Sequence, residues 1–331
     1  MSSTTAHLGT VLIAVGGNAL VLDGEAGSVD RQLERAADFA ESIAELVASG
    51  WTAIVTHGNG PQVGYILRRG ELVAPDATVE GLPALPLWLA VADSQGGIGH
   101  MLAIAIDTAM QRRGLVTRAV AVLTHAEVDA KDPAFTKPTK PIGGQLSADV
   151  ARRRAAEEGW VVTEIAEDNY RRVVASPLPL AIIESEQIRV LVNSGAIVIA
   201  AGGGGIPVVR DTQGWHAVDA VIDKDRASAL LAREIDVATL VLVTGVDEVY
   251  VDFNKPDQRA LHNVDIDEMR GYLAAGQFPP GSMGPKVQSA IDFVAKAGGR
   301  AIITSIGKLA DALAGNAGTV VNAGGRMPPA P

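Results

Sequence analysis

Three lysines sit among turn-forming residues instead of on exposed helix faces. Lys140 lies between Pro138 and Pro141, which stiffen its backbone. Lys224 is bracketed by Asp223 and Asp225 at an expected helix start. Lys286 follows Gly281-Ser282-Met283-Gly284-Pro285 at another. Most lysines are solvated surface charges. Lysines on constrained backbone can instead supply fixed positive charge, which is what phosphoryl transfer chiefly asks of a protein. Two readings are open for Asp223 and Asp225. They hold lysines or meet a Mg²⁺ carried on a nucleotide, or they cap a helix N-terminus; Asp225 can do both.

Four glycine-rich turns accompany these lysines: Gly16-Gly17-Asn18, Gly58-Asn59-Gly60-Pro61-Gln62, Gly202 to Gly205, and Gly281-Ser282-Met283-Gly284. Glycine lets backbone N–H groups approach an anion, and a following helix N-terminus adds a favourable dipole. One such loop is as well explained by a tight turn. Three directly after expected strands, and a fourth entering a helix, point to a phosphate or carboxylate ligand. Beyond the carboxyl ends of the strands is where ligands sit in open parallel sheets.

Other chemistries find less support. No G-x-x-x-x-G-K-[ST] motif is present, and Gly307-Lys308 lacks both the upstream glycine and the hydroxyl residue. Gly58-x-Gly60-x-x-x-Gly64 loosely resembles a dinucleotide fingerprint, but the stretch Gly81–Leu89 lacks the acidic residue that would meet a ribose. The six histidines show neither H-x-H nor H-E-x-x-H spacing, so no protein-only metal site is expected. His57, in a glycine turn, either touches ligand or packs. No G-x-S-x-G elbow supports serine hydrolysis.

The elements that must position these residues alternate. Short Val/Ile-rich runs at Thr10–Val15, Thr52–Thr56, Ala119–Thr124, Ile197–Ala201, Leu240–Thr244 and Ala301–Ser305 have the length of buried strands. Between Arg31 and Ser49, Leu33, Ala36, Ala37, Ala40, Ile43, Ala44 and Val47 recur at helical spacing, with Asp30 as the expected N-cap and Gly50 as the stop. Leu87–Met110 and Pro285–Ala297 are further expected helices. Strand and helix in alternation imply an α/β fold, a parallel sheet covered on both faces. Residues 127–179 break the rhythm with Asp132-Pro133, Lys137-Pro138, Lys140-Pro141 and Ser176-Pro177-Leu178-Pro179 around a basic helix at Ala151–Glu158. This is either a small protruding subdomain, a lid on a single domain spanning 10–322, or a surface insertion without a role.

The chain has 331 residues, enough for a sizeable core, with 47% apolar and 20% charged residues. A formal net charge of −10 disfavours nucleic acid and anionic membrane as partners. The absence of cysteine excludes disulfides, zinc–thiolate sites and a cysteine nucleophile, and fits a reducing cytoplasm. Residues 1–9 are expected to be a flexible tail. No basic segment followed by an apolar stretch suggests a secretory leader, and no run reaches the ~18–20 apolar residues of a membrane span.

Longer motifs carry a resemblance. Val15-Gly16-Gly17-Asn18-Ala19-Leu20, Thr56-His57-Gly58-Asn59-Gly60-Pro61-Gln62-Val63-Gly64, Ser94-Gln95-Gly96, Asp132-Pro133-Ala134-Phe135 and Pro138-Thr139-Lys140-Pro141-Ile142-Gly143 are similar to carbamate kinases. So are Tyr170 to Val174, Ala201-Gly202-Gly203-Gly204-Gly205-Ile206-Pro207-Val208, Val221-Ile222-Asp223-Lys224-Asp225 and Gly281 to Val287. The resemblance spans about residues 10 to 322. It implies a three-layer αβα amino acid kinase fold, a homodimer, and reversible transfer between ATP and carbamate, with Mg²⁺ carried on the nucleotide. Related kinases acting on amino acids have a lysine just before the first Gly-Gly. Ala14 and Val15 stand there in this chain, and Lys140 is implied to substitute. Lys224 and Lys286 would contact phosphates and Asp225 would orient them. Gly16, Gly17, Asn18, Gly58, Asn59, Gly60 and Gln62 would hold the acceptor. Gly203, Gly204, Asp223, Thr244, Val246, Tyr250 and Met283 would hold ATP or ADP. Three positions depart from the pattern: Gly245 replaces an acidic residue, Ala175 a proline, and Gly144 a proline. The alternatives are a kinase of the same family with another small acid or phosphate as acceptor, and a non-enzymatic nucleotide-binding regulator.

Overall fold

The computed structural model describes residues 7–16, 28–73, 85–279 and 281–324. Gly17 and Asn18 lie outside the described residues. The first half contains β1 (Gly9–Val15), α1 (Val29–Ala48), β2 (Trp51–His57), α2 (Gly60–Val73), α3 (Leu87–Arg112), β3 (Ala119–Ala121) and β4 (His125–Val128). Next come β5 (Lys140–Leu146), α4 (Ala148–Glu158), β6 (Val162–Ala166), β7 (Asn169–Val174) and β8 (Pro179–Ile182). The rest is α5 (Ser185–Asn193), β9 (Ile197–Ala200), β10 (Ile206–Asp211), β11 (Gly214–Ala217), α6 (Lys224–Glu234), β12 (Thr239–Val243), β13 (Val249–Val251), β14 (Arg259–Leu261), β15 (Asn263–Asp265), α7 (Ile266–Ala274), α8 (Met283–Ala297), β16 (Arg300–Thr304), α9 (Leu309–Leu313) and β17 (Thr319–Asn322).

Eight strands form the central sheet in the order β15-β17-β16-β12-β1-β2-β9-β3. All neighbours run parallel except β16 and β17. Its strands are apolar on both faces because both are covered. In β1, Leu12 and Ala14 face one core with Leu240 and Leu242 of β12, while Val11, Ile13 and Val15 face the other with Val241 and Val243. The first core is closed by α6 and α8, through Leu230, Leu231, Ile291 and Phe293. The second is closed by α1 and α3, through Phe39, Ile43, Leu102 and Ile106. This is the expected three-layer arrangement. Helix α3 is long and apolar enough to cross a membrane by length and composition alone, at a mean hydropathy of 1.2. Its Ser94 and Gln95 hydrogen-bond into the protein interior, as a core helix requires.

Several boundaries differ from expectation. Leu8 N–H bonds Gly50 O and Gly9 already opens β1, so the chain is anchored before the expected end of its tail. Helix α1 is capped by Ser28, whose side chain accepts from Arg31 N–H; Asp30 sits inside the first turn. Its buried face includes Gln32 and Phe39, while Leu33 and Ala37 point outward. Strand β3 stops at Ala121 instead of Thr124, because Thr124 N–H turns to bond Gln95 Oε1 and the chain leaves for a second sheet. That sheet, β11-β10-β4-β8, pairs Ala126 with Ile182, so both ends of the expected 127–179 excursion are tied to it. What lies between includes a separate three-stranded sheet, β5-β7-β6, with α4 beside it.

Phe39 is among the largest fully buried side chains, at 1% exposed. Phe39→Ala is expected to lower the unfolding free energy by about 3–5 kcal/mol through the cavity it leaves, as read by urea denaturation with an unchanged m-value.

Candidate functional site

The turn that begins at Gly58 and the Gly202–Gly205 loop follow the carboxyl ends of the neighbouring strands β2 and β9, as the sequence expects, and Gly16 follows β1 beside them. Gly58 N–H bonds Val15 O, which ties the loop after β2 to the end of β1. The Gly202–Gly205 loop packs closely against the side chains of His57 and Asn59. A Cβ on Gly203, whose φ is +64°, would lie 2.2 Å from Asn59 Nδ2; one on Gly202 would lie 2.5 Å from the His57 ring. Larger residues have no room there.

His57 is buried, and burial pushes its imidazole down to about 4. It is neutral at physiological pH, and Nδ1 lies 3.1 Å from Gly58 O, so it packs the loop and carries no charge to a ligand. Asn59, 2% exposed, is likewise turned inward, and its Nδ2 donates to Ser94 Oγ at 2.8 Å. Gln62 donates to Gln32 Oε1 at 3.1 Å, and its own buried Oε1 has no hydrogen-bond partner among the described residues. Gln95 completes the network by donating to Thr124 O and Gly202 O while accepting from Thr124 N–H. No role for Ser94, Gln95 or Thr124 follows from the sequence alone. Two adjacent polar residues in the apolar run of α3 were the available signal.

The three lysines converge. Helix α6 starts at Lys224, with Asp223 as N-cap: its Oδ1 accepts from Asp225 N–H at 3.0 Å and Arg226 N–H at 3.3 Å. Its Oδ2 is left free to accept from Lys140 Nζ at 2.6 Å, across 83 residues of sequence. Asp225, 4% exposed, takes Lys224 Nζ at 2.5 Å on one oxygen and Lys286 Nζ at 3.0 Å on the other. The double role of lysine holder and cap, expected of Asp225, thus falls to Asp223, because Asp225 lies inside the first turn with both oxygens taken by lysines. A buried Thr56 Oγ1–Ser228 Oγ hydrogen bond of 2.6 Å ties β2 to α6, and Ser228 donates onward to Lys224 O.

Burial alone would raise both aspartates, but the adjacent ammoniums hold them below the usual carboxylate range. Burial would lower Lys224, yet Asp225 outweighs it and the net shift is upward. Lys286 goes the other way: burial, only partly offset by Asp225 and reinforced by the Lys224 ammonium, pushes it down to about 8. Three ammoniums against two carboxylates leave one positive charge in surplus at neutral pH, in a poorly solvated place. An anion with several oxygens is the natural counter-ion.

Thr244 and Val246 follow β12, where Thr244 N–H bonds Thr304 O at the end of β16. Tyr250 lies in β13 with its ring 6.0 Å from that of Phe253. Met283 opens α8 one turn before Lys286. None of these four hydrogen-bonds to the lysine–aspartate cluster among the described residues. Likewise, no group of three or more His, Asp or Glu residues there is placed to hold a metal ion.

The model of the amino acid kinase family matches residues 9–305. A carbamate kinase-like protein of Escherichia coli (strain K12) is 46% identical over 93% of this chain and 97% of its own length. A carbamate kinase of Pyrococcus horikoshii is 43% identical over 94% of this chain and 98% of its own. Among solved structures, a carbamate kinase from Giardia lamblia bound to AMP-PNP superposes with a TM-score of 0.86 at 38% identity, covering 96% of this chain and 99% of that one.

Replacing Asp225 by Asn leaves two buried ammoniums without their shared counter-charge. Asp225→Asn is expected to cost about 3–5 kcal/mol of stability at pH 7. Without the carboxylate, the lysines gain by losing a proton, so the deficit should shrink as pH rises from 7 to 9. Urea unfolding at the two pH values reads the effect, and an equal deficit at both would contradict it.

Proposed function

The chain belongs to the amino acid kinase family, and from that premise we propose that it is a carbamate kinase, moving a phosphoryl group reversibly between ATP and carbamate to give ADP and carbamoyl phosphate. The observation that carries the reading is the lysine cluster. No lysine precedes Gly16, yet Lys140 reaches the N-terminus of α6 from β5 and completes a set of three with Lys224 and Lys286.

In this reaction a carboxylate oxygen of carbamate bonds to the γ-phosphorus, the bond to the β–γ bridging oxygen breaks, and its electron pair leaves with ADP. The nucleophile is already an anion, so no general base is needed. The protein's task is to hold two anions together and stabilise the charge that spreads over the transferring group. Lys140 acts from the acceptor side, Lys224 and Lys286 on the phosphates, with Asp225 holding the latter two apart. Backbone N–H groups at Gly16 and Gly60 meet the acceptor, while Gly58, whose own N–H is taken by Val15 O, shapes the turn between them. The unpartnered Oε1 of Gln62 fits the N–H donor that carbamate's amino group offers. The nucleotide lies over Gly203, Gly204, Asp223, Thr244, Val246, Tyr250 and Met283.

Asp223 and Asp225 are already engaged by ammoniums, which fits a Mg²⁺ held mainly by the nucleotide's phosphates and not by a protein cage. A homodimer is supported by exposed Ile104, Val120 and Leu123, on α3 and at the edge strand β3 of the central sheet. A cytoplasmic location is supported by the cysteine-free composition.

ATP formation from ADP and carbamoyl phosphate, followed in a coupled assay, tests the activity; ADP release with another small acid but not with carbamate would overturn it. Lys140→Ala is expected to keep the fold and lose at least ~100-fold in kcat, as for one deleted transition-state donor. A second expectation concerns pH. Lys286 titrates near 8 without ligand, and bound phosphate favours its charged form. Nucleotide binding should therefore take up a proton above pH 8 and weaken as pH rises through it. Calorimetry in buffers of different ionisation enthalpy measures this uptake, and constant affinity from pH 7 to 9.5 would rule it out.

A further inference from the structure

Helix α2 meets the chemistry at two places. Its first residue, Gly60, closes the turn after β2. One turn later, ~6 Å along the axis, Gly64 touches the strand that carries Lys140. This is a contact of backbone on backbone: a Cβ on Gly64 would lie 2.1 Å from Gly143 Cα and 2.7 Å from Gly143 N. Gly143 is itself left-handed, with φ +69°, and its carbonyl accepts from Arg171 Nη2 of β7 at 2.6 Å.

The contact is flanked on both sides. Ile142, next to Gly143, is buried in one apolar cluster with Val63 and Leu67 of α2. Two turns beyond Gly64, Glu71 meets Arg172 of β7 at 3.6 Å and Arg154 of α4 at 4.0 Å. Those two guanidiniums lie over the Trp160 ring, at 4.5 and 5.2 Å from its centroid. One face of α2 therefore seats β5, β7 and α4 together. Lys140 is three residues before Gly143 on the same strand, and its Nζ ends on Asp223.

We infer that α2 is the gauge that sets Lys140 against the acceptor turn, and that Gly64 and Glu71 are positioning residues for phosphoryl transfer. Gly64 allows the β5 backbone to approach closely enough for Lys140 to reach, and Glu71 fixes the rotation of the small sheet on the helix. Neither side chain touches the lysine–aspartate cluster. Both act through Lys140, so the inference rests on the phosphoryl-transfer role proposed for that residue.

The test is a double-mutant cycle. Gly64→Ala substitutes a better helix former, so α2 itself is not weakened. The added methyl must push β5 away. Its expected effect is a tenfold or greater loss of kcat with the nucleotide Kd within twofold of wild type. In the Lys140→Ala background the same substitution should cost less than twofold. Glu71→Gln, in a partly exposed and isosteric position, should show a smaller loss of the same kind, about threefold in kcat, again absent without Lys140. If Gly64→Ala does not fold, Glu71→Gln decides alone. Wild-type kcat in the folded variants, or a loss fully additive with Lys140→Ala, overturns the positioning role. The wild-type assay separately decides the acceptor, so failure of that reading is distinguishable.

Discussion

The structure depends on one buried carboxylate holding two ammoniums. Asp225 is almost wholly buried, and each of its two oxygens is taken by an ammonium. Removing these charges from water is costly, and their mutual attraction offsets the cost only when geometry is good. The result is a pair of lysines that cannot swing out as surface lysines do. Preorganised charge is worth more at a reacting phosphoryl group than mobile charge, because it need not be reorganised when the bond order changes. Asp223 repeats the device for Lys140 and caps α6 at the same time, so the dipole of that helix is aimed by the residue that fixes the third cation.

The glycine turns are the complement of this charge. The Gly202–Gly205 loop touches the chain just before Asp223, where a Cβ on Gly204 would lie 2.6 Å from Ile222 O, and the uncharged His57 and the Asn59–Ser94 bond give the turns a floor that does not titrate at neutral pH. Thr56 and Ser228 join the floor to the lysine side. In the sheet β1 and β2 lie side by side between β12 and β9, so the turns proposed to hold the acceptor lie between the elements proposed to hold the nucleotide.

Much of this was legible in the sequence because it is local. Uninterrupted Val/Ile runs marked the central strands, and glycines at their ends marked the ligand side. What was not legible is what long-range packing decides. Periodicity alone placed Leu33 on the buried face of α1, where Phe39 and Gln32 are found instead, since the sheet that helix meets is invisible to its own spacing. Asp223 and Asp225 look equivalent around Lys224, yet one caps and reaches Lys140 while the other bridges two lysines, a distinction that needs α8 in place. Asn59 sits in a turn that signals ligand, but its side chain faces Ser94 because α3 passes beneath. The excursion is marked by its prolines, and its expected bounds fall in β4 and β8; what no local signal gives is that these two strands pair once the chain returns.

A cation that must arrive from a separate small sheet needs that sheet seated more accurately than a surface insertion would be. Side-chain packing tolerates shifts of a few tenths of an ångström, because rotamers absorb them. Two backbones in contact at Gly64 and Gly143 have no such slack. The apolar seat of Ile142 supplies most of the attraction between sheet and helix, since it is the part removed from water. The glycine contact supplies the distance, and the partly exposed Glu71 pairs contribute orientation more than energy. The departures at Gly144 and Ala175 fall on either side of this seat. Ala175 retains a backbone anchor, since its carbonyl accepts from Val221 N–H two residues before Asp223. The chain is therefore pinned to the α6 side at both ends of the excursion, by Lys140 going in and by Ala175 coming out, with α2 fixing the span between them.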